Sequence, residues 1–117
     1  MTPGWFDLRP IVERMPWPDV RGKRCLDVGT ADGFWAFELE RRGAREVVAT
    51  DLAEHELWDW PEHVRAGGEA YLEEVAGPEK GVGLRVAGAL RSSAVEPVSI
   101  SAYDLDPATV GSFDVVV

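Results

Sequence analysis

Hydrophobic and polar positions fall into short blocks in the first half of the chain. Cys25-Leu26-Asp27-Val28 is a brief apolar run broken by one acid, which suits a strand buried in a parallel sheet. From Phe34 to Arg42 the period changes. Trp35, Ala36 and Leu39 share one helical face while Glu38, Arg41 and Arg42 lie elsewhere, and Gly43 stands where a helix-terminating glycine belongs. Glu46 to Asp51 is β-branched, short and closed by an acid, which predicts a second strand. Strand, helix and strand within about thirty residues form the unit of a parallel crossover.

The rest is less regular. Pro3, Pro10, Pro16 and Pro18 break up the first twenty residues, leaving room for a short helix over Leu8 to Met15. After the second strand come Trp58-Asp59-Trp60-Pro61, a helix near Glu69 to Val75, Gly77-Pro78, and a further helix over Val82 to Leu90. Val98 to Tyr103 alternates with serines and predicts a third strand ending in Asp104, and Phe113 to Val117 opens a fourth. The expected fold is α/β and Rossmann-like: a parallel sheet of the first four strands with flanking helices. Residues 1–20 read as an approach segment and 21–117 as one ligand-binding domain, expected to be incomplete at its C-terminus because the last strand stops on bare valines. An exposed edge there leads us to expect a marginal, association-prone protein. No repeat, low-complexity tract or linker is present.

Composition narrows the class. The 117 residues are 45% hydrophobic and 28% charged, ordinary for one globular domain but few for covering both faces of an open sheet. No apolar run approaches the ~20 residues of a spanning helix. Met1 to Pro10 lacks the basic-then-apolar order of a signal peptide, so a cytoplasmic location is expected. The single cysteine, Cys25, reads as a buried strand residue and excludes a disulfide framework or a Cys-based metal site. The net charge of −9 is uneven: residues 1–52 carry eight Lys and Arg against nine Asp and Glu, residues 53–117 four against twelve. Such a balance supplies little counterion-releasing surface for nucleic acid. The basic residues Arg21, Lys23, Arg24, Arg41, Arg42 and Arg45 read as solvated helix ends and loops.

The chemistry sits in the turn Asp27-Val28-Gly29-Thr30-Ala31-Asp32-Gly33. Glycines at a strand-to-helix turn let a ligand approach the backbone, and the helix that follows points free N–H groups and a positive dipole end at it. The dinucleotide fingerprint sets its outer glycines five apart to seat a pyrophosphate. Here Gly29 and Gly33 are four apart, with Ala31 between them and Asp27 two before the first. This resembles the S-adenosylmethionine-dependent methyltransferases, whose cofactor carries an amino group for the acid and a carboxylate for the turn N–H groups. Asp51 ends the second strand, where a carboxylate accepts from both hydroxyls of a ribose, a feature shared with dinucleotide enzymes. Asp104 is expected at the adenine edge, with Tyr103 or Leu52 lining the ring. Each acid alone also reads as a strand-end turn or cap residue.

Three strings carry a closer resemblance: Thr2 to Pro10 (TPGWFDLRP), Gly22 to Glu38 (GKRCLDVGTADGFWAFE) and Ala102 to Pro107 (AYDLDP). Together they are similar to the group related to the tRNA wobble-uridine methyltransferases of the 5-oxyacetic acid or 5-methoxyuridine type. The resemblance implies a class I methyltransferase fold with S-adenosylmethionine, or a carboxylated form of it, over the strand ends. By position it implies a cofactor shell of Asp27, Gly29, Thr30, Ala31, Gly33, Asp51, Leu52, Tyr103 and Asp104. Members of that group begin before the first string and continue past the fourth strand into an acceptor-shaping segment. The chain is therefore expected to be truncated at both ends, its acceptor open between tRNA and a small molecule.

Methyl transfer needs chiefly alignment and water exclusion, so no catalytic residue or metal ligand is singled out. His55 and His63 read as surface or structural groups, and Trp58, Trp60 and Pro61 as an anchor or a lid. Trp5 and Arg9 read as packing and capping residues that could reach the cofactor, while Trp35 and Phe37 pack the helix on the sheet. A non-catalytic remnant and a nicotinamide-dependent oxidoreductase are the competing readings, and the glycine spacing speaks against the second.

Overall fold

A computed structural model describes residues 7–54, 57–76 and 81–117. Its elements run α1 (Arg9–Val12), β1 (Arg24–Val28), α2 (Phe34–Arg41), β2 (Glu46–Asp51), α3 (Glu62–Arg65), α4 (Glu69–Ala76), α5 (Val82–Arg91), β3 (Glu96–Ser99), α6 (Pro107–Val110) and β4 (Val115–Val116). The strands form a parallel sheet in the order β3-β2-β1-β4. This is the expected α/β architecture. Parallel pairing follows from the crossover, because a helix between two strands returns the chain to the same sheet edge before the next strand begins.

The period-2 alternation sets the core. Cys25 pairs with Val47 and Asp27 with Ala49, and this face carries the cluster of Val20, Cys25, Ala36, Phe37, Leu39, Val47, Ala49 and Leu84. Leu26 and Val48 point the other way and are also buried, which is why both strands read as continuous apolar runs. α2 lays Ala36 and Leu39 on the sheet, while Phe37 turns toward Leu84 of α5. Gly43 follows the helix with φ +93°, a left-handed stop that costs glycine nothing. The N-terminal segment closes against α2: Trp17 donates its indole N–H to Val12 O at 2.7 Å, lies 5.8 Å from the Trp35 ring, and carries the Arg42 guanidinium 4.2 Å above its face.

The third strand departs from expectation. It occupies Glu96–Ser99 rather than Val98 to Tyr103, and is paired from Val48↔Glu96 to Asp51↔Ser99. Strand length is set by the partner: β2 ends at Asp51, whose carbonyl takes one last bond from Ile100 N at 3.1 Å. Beyond it Ser101 Oγ accepts from Tyr103 N and starts a 3-10 turn over Ala102–Asp104. Pro97 is tolerated because β3 lies at a sheet edge. The first helix is shorter than Leu8 to Met15, and α3 and α6 are single turns that the hydrophobic pattern did not reveal. Arg24 ties the returning chain to β1: its side chain donates to Glu46 Oε1, Val110 O and Ser112 O at 2.7, 2.8 and 3.0 Å and lies 4.2 Å over Phe113.

Candidate functional site

β1 and β2 end side by side, Val28 opposite Thr50, and the chain then folds back over the end of β2. Both Gly29 N and Thr30 N donate to Thr50 O, at 2.8 and 3.0 Å. The turn needs left-handed backbone at Gly29 (φ +73°), Ala31 (φ +49°) and Gly33 (φ +83°). The two glycines differ in what surrounds them. A β-carbon at Gly29 would meet no atom within 4 Å, so that position faces open space. One at Gly33 would overlap Leu84 Cδ1 and lie 2.8 Å from Phe37 Cε2, so this glycine admits a neighbouring side chain.

Asp27 is buried, 2% exposed, on the α2 face of β1. Its Oδ2 accepts from Thr30 Oγ1 at 2.7 Å and from Ala36 N at 3.0 Å. Ala36 is the third residue of α2, whose N-cap Gly33 offers no side-chain acceptor, so a carboxylate from β1 caps the helix in its place. Asp51 joins the other side of the turn. Its Oδ2 accepts from Ala31 N at 2.7 Å and its Oδ1 from Leu52 N at 2.8 Å. Each Asp51 oxygen thus retains one lone pair. Burial pushes the Asp27 pKa up; hydrogen bonds from Thr30 and Ala36 oppose this, and the nearby charge of Asp51 adds to it. In the same segment, the N–H groups of Asp32, Phe34 and Trp35 have no acceptor among the described residues.

The remaining predicted residues lie farther along the same edge. Leu52 is half-buried, and its carbonyl takes the Trp58 indole N–H at 2.9 Å, with the Trp60 ring centred 5.0 Å from that of Trp58. Tyr103 and Asp104 fall in the 3-10 turn after β3 instead of at a strand tip, and both are exposed, Tyr103 by 88%. The structure therefore brings Asp27, Gly29, Thr30, Ala31, Gly33, Asp51 and Leu52 into one hydrogen-bonded unit. Tyr103 and Asp104 are not part of it. Arg9 is held by Asp7, at 2.8 and 2.7 Å, and His63 is exposed on α3. Trp5 and His55 lie outside the described residues. Among the described residues no cluster of His, Cys, Asp and Glu could hold a metal ion, and no helix is long and apolar enough to cross a membrane.

Sequence reasoning missed Thr50. Thr50 acts through a carbonyl, for which side-chain identity gives no signal; its buried hydroxyl also donates to Asp27 O at 3.3 Å. A shallow cavity of about 190 Å³ lies behind the turn, lined by Phe37, Leu84, Gly88, Ser93, Val95 and Pro97 among others. It carries none of the converging polar groups and is not the seat described above.

Comparison with known proteins points to one fold. No protein-family model matches the chain. It is 51% identical over 39 residues to the ubiquinone biosynthesis O-methyltransferase of Neisseria meningitidis, a match that covers 33% of the chain and 16% of that protein. Among solved structures it is similar to the PH0226 protein of Pyrococcus horikoshii, with a TM-score of 0.52 and 24% identity, covering 93% of the chain and 38% of that protein. It is also similar to the ribosomal protein L11 methylase of Lactobacillus delbrueckii, with a TM-score of 0.53 and 21% identity over 92% of the chain and 41% of that structure. The chain spans less than half the length of each. By fold, it is a Rossmann-like α/β unit, with its glycine turn and two carboxylates gathered at the carboxyl ends of β1 and β2.

Proposed function

We propose that the chain is the S-adenosylmethionine-binding part of a methyltransferase. The observation that carries this is the joining of Asp27 and Asp51 to one glycine turn, with open space over Gly29 and the N–H groups of Asp32, Phe34 and Trp35 without an acceptor among the described residues. Those groups match the cofactor piece by piece. The second oxygen of Asp27 suits an ammonium; the N–H groups of Asp32, Phe34 and Trp35 suit a carboxylate; Asp51 can take one ribose hydroxyl on each oxygen. A 2′-phosphate in place of a hydroxyl would meet the Asp51 carboxylate, which disfavours a phosphorylated dinucleotide.

S-adenosylmethionine supplies a methyl group already activated on a sulfonium. The residues of this chain bind and orient. Asp51 would fix the ribose, Leu52 and the neighbouring Trp58 would offer an apolar flank to the base, and Asp27 and the turn would hold the amino-acid end, an alignment that in-line methyl transfer requires. Tyr103 and Asp104 belong to the adenine edge in this reading, reaching it from the turn after β3. The acceptor is a wobble uridine or a small molecule. The wobble-uridine resemblance supports the first, and similarity to an O-methyltransferase of ubiquinone biosynthesis supports the second.

Calorimetric titration with S-adenosylmethionine, S-adenosylhomocysteine and NAD tests the proposal. The expected result is saturable binding of both adenosyl ligands and none of NAD; tighter binding of NAD overturns it.

A further inference from the structure

The back of the glycine turn is joined to α5 through two glycines, one on each element, and each receives the other element's side chain. At Gly33 a β-carbon would overlap Leu84 Cδ1; at Gly83 it would overlap the Asp32 carboxylate, with Cγ 2.6 Å away. Asp32 and Gly33 are neighbours in the turn, as Gly83 and Leu84 are in the helix, so the contact is reciprocal. Gly33, Gly83 and Leu84 are buried and Asp32 half-buried.

Gly83 has no backbone reason to be glycine. It is the second residue of a ten-residue helix and its φ is not positive, while glycine inside a helix costs about 1 kcal/mol relative to alanine. What it provides is the missing methyl. Gly88, on the same helix, differs: a β-carbon there would touch only Phe37, at 4.0 Å, an ordinary contact. The carboxylate of Asp32 also lies against the first turn of α5, whose N-cap Gly81 supplies no side-chain acceptor, where a negative charge is favoured by the helix dipole.

We propose that Gly83 and Leu84 are positioning residues for the cofactor turn. Acting through Asp32 and Gly33, they set the direction of the unpaired N–H groups of Asp32, Phe34 and Trp35. The identity of the ligand rests on the reading given above; the interlock itself does not. It makes the docking of α5 a condition for a correctly shaped turn, and so couples a helix outside the seat to binding within it.

Two readouts on the full chain test this. Gly83→Ala raises helix propensity and is expected to keep the fold and the Tm, yet to displace the amide resonances of residues 29–35 in the ligand-free protein. It should weaken S-adenosylhomocysteine binding by about tenfold or more. Adding Asp32→Ala to Gly83→Ala removes the overlap and is expected to bring back those resonances and most of the affinity, while Gly88→Ala changes neither. Resonances of residues 29–35 left in place by Gly83→Ala, or not restored by Asp32→Ala, overturn the inference. A wild-type protein that takes up no S-adenosylhomocysteine sinks the cofactor reading alone, since the ligand-free resonances still decide the interlock.

Discussion

Asp27 caps α2 and holds Thr30 through one oxygen, and the proposed function assigns the other to a ligand ammonium. Its raised pKa fixes the sign of the pH dependence. The folded state holds the proton more tightly than the unfolded chain, so the stability due to this group is fully present below the ordinary value of 3.8 and is lost as pH rises through the folded value. A ligand ammonium prefers the ionised carboxylate, so affinity for S-adenosylhomocysteine should rise with pH over that same window. Asp27→Asn is expected to flatten this profile in calorimetry across a pH series and to weaken binding near neutrality by about 1.5–3 kcal/mol. A wild-type profile already flat from pH 4 to 7 counts against the assignment. Ala31 offers a second residue-scale test, since its left-handed backbone is held by Asp51 Oδ2. Glycine adopts that conformation freely, so the cost of Asp51→Ala in urea unfolding should be about 1 kcal/mol smaller in an Ala31→Gly background. Strict additivity would show that Asp51 does not hold the turn.

At the scale of elements, α2 is the platform of the site, and its packing is concentrated in few residues. Leu39 is fully buried against the sheet, and Leu39→Ala should cost about 3 kcal/mol in urea unfolding, by lost transfer energy and the cavity left behind. A cost below about 1 kcal/mol would mean that the helix does not depend on this contact. The element pattern was legible where periodicity reflects burial: β2 falls on Glu46–Asp51 as predicted, and β1 and α2 within a residue. β3 was misplaced because an edge strand extends only as far as its partner. Val98, Ile100 and the intervening serines resemble a strand in isolation, but β2 offers no residue to pair beyond Asp51. The short α3 and α6 are single turns, α6 started by Asp106 Oδ1 accepting from Ala108 N at 2.6 Å, and four residues leave no hydrophobic period to read.

At the scale of the molecule, Arg24 links the start of β1 to the chain that returns into β4. Arg24→Met should speed hydrogen exchange at Asp114, Val117 and Val28, whose N–H groups bond across β1 and β4, while amides between β1 and β2 beyond the Arg24–Glu46 pair exchange as before. Equal acceleration in both ladders would show that Arg24 supports the whole sheet instead of this one junction. Gly111 beside this tie is called for by its left-handed backbone, φ +77°, and a β-carbon there would also come within 2.6 Å of the Arg24 guanidinium.

The chain's own sequence determined the parallel α/β plan and the residues of the glycine turn, because burial periodicity and glycine spacing are local properties written residue by residue. Tertiary structure decided the uses of those residues. Asp27 became a helix cap because α2 starts above β1, Asp51 a brace for Ala31 because β2 ends beside the turn, and Gly33 a socket for Leu84 because α5 docks behind it. Such roles depend on which distant groups arrive within hydrogen-bonding or van der Waals range, and no spacing within a single segment encodes that.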